Sequence, residues 1–423
     1  MSWDKVKIGD CCEITSSKRI FFSEYVECGV PFYRSKEIIE SSNGQEISEP
    51  LFISQEKYDE IKRNFGVPQP GDMLLTSVGT IGVPYIVKED DYFYFKDGNL
   101  TWFRKFNNRL TSQYLYYWVR SAEGQGVLNN TTIGSSQKAL TIASLKGLEI
   151  PCPPVDVQSR IVEILSSYDA LIENNQKQIK LLEEAAQRMY KEWFVDLRFP
   201  GHEATPITDG IPEGWKKSLL SDVIGYEIGG GWGEEEPTEK CDVPAYVIRG
   251  TDLYGISHGD SMGIPYRYHA EKNLNARKLS DGDIVFEVSG GSKTEGVART
   301  ALIRSAMLEQ WHESVMCASF CKLIRVKIPN HAQLLYDAFQ YMRASGKTTE
   351  YDKRSASSIV NYRWKDFLAT EAVLIPDDEI LDKYNAIVGN MYQMIVQKSI
   401  AIEKAKDARD RLLPKLMNGE IEV

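Results

Sequence analysis

The chain has 423 residues, 42% of them hydrophobic and 26% charged, which is enough apolar material for more than one core and a length that suits two or three domains. No apolar run approaches a membrane span, the start Met1-Ser2-Trp3-Asp4-Lys5 lacks the basic-then-apolar order of a secretory signal, and the seven cysteines contain no Cys-x-x-Cys pair. A disulfide framework and structural zinc are therefore not expected, a reducing cytoplasm is, and a net charge of −10 leaves room only for a local basic face on an acidic molecule.

Taken in order, the chain is written twice. Trp3 to Asp10 recurs as Trp215 to Asp222. Pro31-Phe32-Tyr33-Arg34 through Glu37-Ile38 is echoed by Tyr246-Val247-Ile248-Arg249 through Asp252-Leu253. Pro70-Gly71-Asp72-Met73-Leu74 recurs as Asp281-Gly282-Asp283-Ile284-Val285. Within each half, apolar runs at Met73–Thr76, Tyr92–Phe95, Asp283–Phe286 and Leu323–Val326 predict strands, and Tyr114–Val119 and Leu334–Phe339 predict short helices. Both halves thus read as mixed α/β.

Each half ends in a long helix. Ile161, Leu165, Tyr168, Ile172, Asn175, Ile179, Leu182, Ala186, Met189 and Trp193 follow a 4-3-4-3 spacing, a heptad seam that needs a partner helix. Adding 223 gives Tyr384, Val388, Met391, Ile395, Lys398, Ile402, Ala405, Arg409, Leu412 and Leu416, mostly apolar again. The growth of the offset implies an insertion in the second half, for part of which Gly229–Gly233 with Glu234–Glu236 offers a place. Asn175 and Lys398 break the apolar rule at equivalent positions; they are either partly exposed or register-fixing, and the coincidence favours the second. Each helix of roughly 38 residues would be about 55–60 Å long, and an antiparallel pair would bury both seams. Pro151–Pro154 closes the first half, Asp156 is positioned to cap the first helix, and the second opens after Ile375-Pro376-Asp377-Asp378 and ends near Pro414. The expected divisions are 1–155, 156–200, 201–376 and 377–423.

Several of these segments resemble one family, the specificity subunit of type I restriction-modification enzymes. Leu145 to Pro154 followed by Gln158-Ser159-Arg160-Ile161-Val162 is similar to the family's entry into its first conserved helix. Glu192-Trp193-Phe194-Val195-Asp196 with Phe199-Pro200-Gly201-His202-Glu203 resembles the exit, and Arg411 to Ile421 the C-terminal signature. Gly71 to Gly82 resembles a recurrent target-recognition segment, from which the second half departs after Gly282-Asp283. The resemblance covers nearly the whole chain in the family's order. It implies an α+β architecture: two α/β target-recognition domains in tandem, joined by two long helices in an antiparallel coiled coil with pseudo-two-fold symmetry. It also implies that each domain reads half of a bipartite site on double-stranded DNA. The helices would then set the spacing and dock two modification methyltransferase subunits. No cofactor is implied on this chain; S-adenosylmethionine belongs to the modification subunits, and ATP and Mg to the restriction and motor subunits.

Base readout needs polar side chains on exposed loops. The first half offers Lys18, Arg19, Arg34, Lys36, Thr76, Ser77, Thr80, Thr132, Ser135, Ser136, Gln137 and Lys138. The second offers Arg249, Ser292, Lys293, Arg299, Lys353, Arg354, Ser355, Asn361, Tyr362 and Arg363. The loops Thr131–Lys138 and Lys353–Ser358 rank first, because they lie at equivalent places before the two helices. Any single residue among them is equally well read as solvated surface, and Arg34 and Arg249 equally well as structural ion-pair partners.

Catalytic signatures are absent. Gly346-Lys347-Thr348 and Ser292-Lys293-Thr294 lack the glycines of a phosphate loop, and no Asp/Asn-Pro-Pro-aromatic methyltransferase motif occurs. Two other readings stay open: an orphan DNA-binding regulatory module, and a nuclease using Asp281 and Asp283 with Lys293. Against the latter, Asp281-Gly282-Asp283 reads more simply as a turn before a strand.

Overall fold

In the computed structural model, which describes residues 3–44, 47–132, 138–290, 296–354 and 359–423, the repeat of the sequence reappears as a repeat of topology. The first half carries an antiparallel sheet in the order Glu13–Thr15, Leu100–Arg104, Met73–Thr76, Pro84–Ile86. The second half carries Ile224–Gly229, Cys321–Val326, Ile284–Glu287, Thr300–Leu302 in the same order. All four residues of Met73–Thr76, and all four of Ile284–Glu287, are buried. These strands are covered on both faces, so their first three residues run apolar instead of alternating, and each strand ends on a buried polar residue, Thr76 or Glu287.

A second motif also recurs. Val30–Tyr33 pairs in parallel with Tyr94–Phe95, and Val243–Ile248 in parallel with Ser314–Cys317. A third pairing closes each half: Lys5–Lys7 with Glu149–Pro151, and Lys216–Leu219 with Ala372–Ile375. Each long helix is thereby launched from a strand tied back to the beginning of its own half.

Local differences from the sequence reading have physical causes. Of Tyr92–Phe95 only Tyr94 and Phe95 pair, because Phe32 and Tyr33 offer only two parallel partners and Tyr92 stays exposed. Asp283 lies outside its strand; its carboxylate accepts from the Ser280 N–H at 2.7 Å and forms a double hydrogen bond with Arg325 at 2.7 and 2.6 Å. The short helices extend further than expected, to Ser112–Arg120 and Ala332–Ala344.

The long helices are Val155–Tyr190, continued by a π turn Lys191–Val195, and Asp378–Met417. Their 36 and 40 residues correspond to lengths of about 54 and 60 Å. The first starts two residues too early for Asp156 to be its cap; Asp156 stands in the first turn, where its charge still suits the helix dipole. The second begins at Asp378, one residue earlier than expected, and is capped by Asp377, whose Oδ1 accepts from the Ile380 N–H at 3.0 Å. It runs past Pro414, which is exposed in the last turn and whose carbonyl accepts from the Asn418 N–H at 3.0 Å. A proline there removes only one ladder bond near a fraying end.

The chain forms two compact units, residues 1–173 with 403–423, and residues 174–402, so both long helices are divided between them. In the first unit, Ile161 and Leu165 share a core with Leu413, Leu416 and Met417. In the second, Ala186, Tyr190 and Trp193 share one with Ile380, Tyr384 and Val388. Within each unit the start of one helix meets the end of the other, an antiparallel pairing. Ile161, Leu165, Ile172, Ile179, Tyr384, Val388, Ile395 and Ile402 are buried; Tyr168, Leu182, Met189, Met391 and Leu412 are half-buried. Asn175 is buried at 7% exposure, whereas Lys398 is half-buried. No helix among the described residues is long and apolar enough to cross a membrane.

Candidate nucleic-acid interface

In the first unit, the loop after Met73–Thr76 turns on Gly79 and Gly82, at φ +80° and +84°, where a side chain would be strained. Val78 then bridges Ala139, and the Leu140 N–H donates to the Ser77 carbonyl at 2.9 Å. This places the Gly79–Gly82 loop against the segment that carries Lys138. Gln125 ties it to the neighbouring helix, donating to the carbonyls of Gly82 at 2.8 Å and Val119 at 2.7 Å.

The second unit repeats the arrangement. Ser289–Gly290, which follows the equivalent strand, pairs with Val360–Tyr362, and that strand pairs with Asp352–Arg354. Ser289 stands opposite Asn361, and its hydroxyl donates to Asn361 Oδ1 at 2.9 Å. The pairs Val78↔Ala139 and Ser289↔Asn361 are equivalent. Val78 and Ser289 stand equally far beyond Asp72 and Asp283 of the two Gly-Asp turns, and Ala139 and Asn361 equally far before the short helices Ile142–Gly147 and Trp364–Thr370. The loop's far end returns to the same hairpin: a Cβ on Gly296 would stand 3.0 Å from Asp352 Oδ2. Burial raises the Asp352 carboxyl above its ordinary range, and the nearby Arg354 opposes that shift.

The candidates sort by what holds them. Thr80, Lys138, Lys353 and Asn361 are exposed on these loops, and among the described residues Lys138 and Lys353 carry no ion pair. Thr132 is half-buried at a helix end, donating to the Asn129 carbonyl. Arg354 is exposed and has a partner. Lys18 lies over the Phe65 ring at 4.2 Å, Arg19 pairs with Asp97 at 2.9 Å, and Lys36 pairs with Glu49 at 2.9 Å. Ser135, Ser136, Gln137, Ser292, Lys293 and Ser355 lie outside the described residues.

Others are structural. Thr76 and Ser77 are buried; Thr76 accepts from the Val83 N–H and Ser77 bonds Thr101, so neither faces a ligand. Tyr362 is buried among Phe286, Tyr351 and Phe367. Arg363 is spent on the Glu350 carbonyl and Asp366. Arg299 pairs with the buried Glu287 at 2.8 and 2.6 Å. Arg34 and Arg249 play one part in two places: each pairs with an acid three residues on, Glu37 and Asp252, that caps the following helical turn. Asp281 accepts from the Ser305 N–H, and Asp283 is consumed by Arg325, which leaves the nuclease reading without its carboxylates.

Sequence reasoning passed over Phe21 and Phe22, exposed beside Lys18 and Arg19, although aromatic residues next to basic ones were a usable signal. It also passed over Phe320, 55% exposed, whose carbonyl accepts from Val288 and Ser289. Nothing in the sequence distinguished Gln125.

Comparison with known proteins agrees with this arrangement. Residues 1–184 match the family model described as type I restriction modification DNA specificity domain. The MjaIX type I restriction enzyme specificity subunit of Methanocaldococcus jannaschii is 26% identical over 453 aligned residues, covering 100% of this chain and 94% of that one. A putative type I restriction enzyme specificity subunit of Haemophilus influenzae is 28% identical over 193 residues, 45% of this chain and 46% of the relative. The crystal structure of the type I restriction-modification S subunit from M. genitalium superimposes with a TM-score of 0.58 at 14% identity, over 99% of this chain and 96% of that one, which shows a shared fold.

Proposed function

We propose that the chain, which is similar to the specificity subunits of type I restriction-modification systems, is itself such a subunit, and that each globular half reads one half of a bipartite DNA site through its paired loops. Recognition of DNA sequence is the family's task; the division into half-sites is supported by one observation. The pairings Val78↔Ala139 and Ser289↔Asn361 bring equivalent loops together in both halves. Two similar readers on a fixed spacer suit two half-sites whose separation is set by protein geometry. The two long helices are the spacer and the docking surface for two modification methyltransferase subunits, with restriction and motor subunits joining them in the cytoplasm. S-adenosylmethionine, ATP and Mg act on those partners, and this chain contributes recognition without catalysis.

The relatives carry the names of restriction-enzyme subunits, which favours a complex over an orphan regulator. The test is a single-molecule methylation map of the native genome with the gene intact and deleted. Loss of one bipartite adenine-methylated motif establishes the role and reveals both half-sites. An unchanged map, in cells expressing the chain and an intact partner methyltransferase, overturns it.

A further inference from the structure

Phe22 is 88% exposed and Phe21 61%, and Phe22 is the most exposed large apolar side chain among the described residues. A phenyl ring in water is unfavourable, yet the chain holds this one out on a rigid stem. Residues Phe22–Glu24 form a 3-10 turn closed by the Glu24 N–H on the Phe21 carbonyl at 2.9 Å. The Glu24 carboxylate accepts from the Phe21 N–H at 2.8 Å and pairs with Lys57 at 3.0 Å. The edge of Phe22 rests on Tyr25 at 5.6 Å, and Tyr25 rests on the fully buried Phe32 at 5.3 Å.

The same loop adjoins the candidate interface. Ser16 Oγ accepts from the Gly98 N–H at 3.4 Å, and Arg19 pairs with Asp97 while remaining 69% exposed. One residue beyond Gly98, the Asn99 carbonyl accepts from the Ser77 N–H at 2.8 Å, and Val78 bridges Ala139. The segment that carries Lys18, Arg19 and the two phenylalanines is thus tied to Asp97–Gly98, the lead-in to the Asn99 carbonyl that holds the base of the Gly79–Gly82 loop.

The corresponding stretch of the second half is built differently, and the exposed aromatic nearest its paired loops is Phe320, on another segment. The stretch after its corresponding strand, Ile224–Gly229, carries Trp232 and three glutamates. Arg267 covers the Trp232 ring at 4.7 Å and pairs with Glu235 at 2.8 Å, while Glu234 is fastened to Tyr268 by two backbone bonds of 3.0 Å. Arg267 covers one face of this ring, which is 40% exposed against 88% for Phe22, and the acids beside it repel phosphate.

We propose that Phe22 is a wedge that enters the base stack of duplex DNA at or beside the half-site read by the first unit, with Phe21 as its shoulder and Lys18 and Arg19 on the flanking phosphates. Apolar side chains that unstack a base step bend the duplex and extend the contact with protein. The inference rests on the DNA-reading role above and adds an asymmetry: the distortion falls in one half-site only. A polypeptide partner is the rival occupant; the neighbouring cations and the adjoining polar loops favour DNA.

The test uses the full chain, assembled with its modification subunits, on a duplex bearing the bipartite site found by methylation mapping. 2-Aminopurine is placed at successive steps of both half-sites. With the native chain, fluorescence rises at one step of one half-site. Phe22→Ala abolishes the rise and weakens binding about tenfold, whereas Phe22→Trp keeps the rise and its indole emission is quenched by the duplex. Circular dichroism and the melting temperature of both variants stay native, since the side chain is exposed. An undiminished rise in Phe22→Ala overturns the wedge, as does loss of modification-subunit binding with the DNA signal intact. Failure of the native chain to bind the duplex would instead sink the DNA-reading role.

Discussion

Tyr117 donates a hydrogen bond to Asp169 at 2.7 Å, and the equivalent positions of the second half hold the same bond with its ends exchanged. There the acid, Asp337, is on the globular domain's helix, and the tyrosine, Tyr392, is on the long helix, 2.9 Å away. Asp337 stands as far into Ala332–Ala344 as Tyr117 does into Ser112–Arg120, and Tyr392 follows the seam residue Met391 as Asp169 follows its counterpart Tyr168. Each globular half therefore fits its own long helix. Exchanged, Tyr117 would face Tyr392, and Asp337 would face Asp169, a pair of carboxylates.

The first prediction is that the Tyr117–Asp169 contact carries a measurable coupling. Asp169 also receives Arg409 at 2.6 Å and Arg120 at 3.1 Å, so it is a charged acceptor for the phenol. A double-mutant cycle with Tyr117→Phe and Asp169→Asn gives a coupling of about 1–2 kcal/mol, read by urea unfolding. Additive effects of the two substitutions would show that the phenol contributes nothing beyond packing.

Asp337 gives the second unit a pH dependence of known sign. It is buried and accepts from Gln333 at 2.8 Å, Tyr384 at 2.7 Å and Tyr392 at 2.9 Å, and burial pushes its carboxyl up to about 6 from an ordinary 3.8. The folded state therefore holds this proton more tightly than the unfolded chain does. The resulting stabilisation is complete below about pH 4 and is lost as pH rises through about 6, with an upper bound of about 3 kcal/mol. Urea midpoints measured from pH 4.5 to 7.5 should fall for the native chain relative to Asp337→Asn. A difference that grows in the opposite direction would mean that the carboxylate is the stabilised form.

Much of this architecture was legible before any coordinates. The duplicated Trp3 and Trp215 motifs, the Gly-Asp turns and the heptad seams are local patterns, and local patterns survive in sequence. The individual readers were less legible, because availability depends on distant partners. Thr76 and Ser77 read as polar loop residues, yet Asn99 and Thr101, from a neighbouring strand and its lead-in, close over the loop's base. Tyr362 is consumed by aromatic packing with Phe286, a residue remote from it in sequence. The Tyr117–Asp169 exchange is visible only once the helices are paired.

Arg34 and Arg249 separate capping from readout. Each pairs with an acid that also caps a helical turn, so the expected loss is structural. Arg249→Ala should lower stability by about 1 kcal/mol, discounted for its partial exposure, and leave the methylated motif unchanged. A change in the motif with stability intact would return Arg249 to the list of base readers.

The helices make a ruler prediction. Inserting one heptad into both helices keeps the seam in phase and lengthens each by about 10 Å. The gap between half-sites should widen by about three base pairs, with the bases read unchanged. An unchanged gap in an active complex would place the spacing elsewhere.

Lys353 and Asn361 stand on adjacent strands of one hairpin, and they should respond differently to substitution. Lys353 is exposed and, among the described residues, free of ion pairs, so its ammonium suits a phosphate, which carries no sequence information. Lys353→Ala should weaken binding to all sequences alike and reduce the slope of log affinity against log salt by about 1. Asn361 presents an exposed carboxamide whose oxygen already accepts from Ser289, an anchor that orients the group. An oriented carboxamide is the side chain that reads adenine in the major groove. Asn361→Ala should therefore relax the motif at one position of one half-site, costing about 1–3 kcal/mol there with the salt slope intact. Ser289→Ala, which removes the anchor, should weaken the same position by less. If Asn361→Ala instead lowered affinity uniformly, the hairpin would be a phosphate clamp, and base reading in the second unit would fall to the neighbouring loop at Gly290.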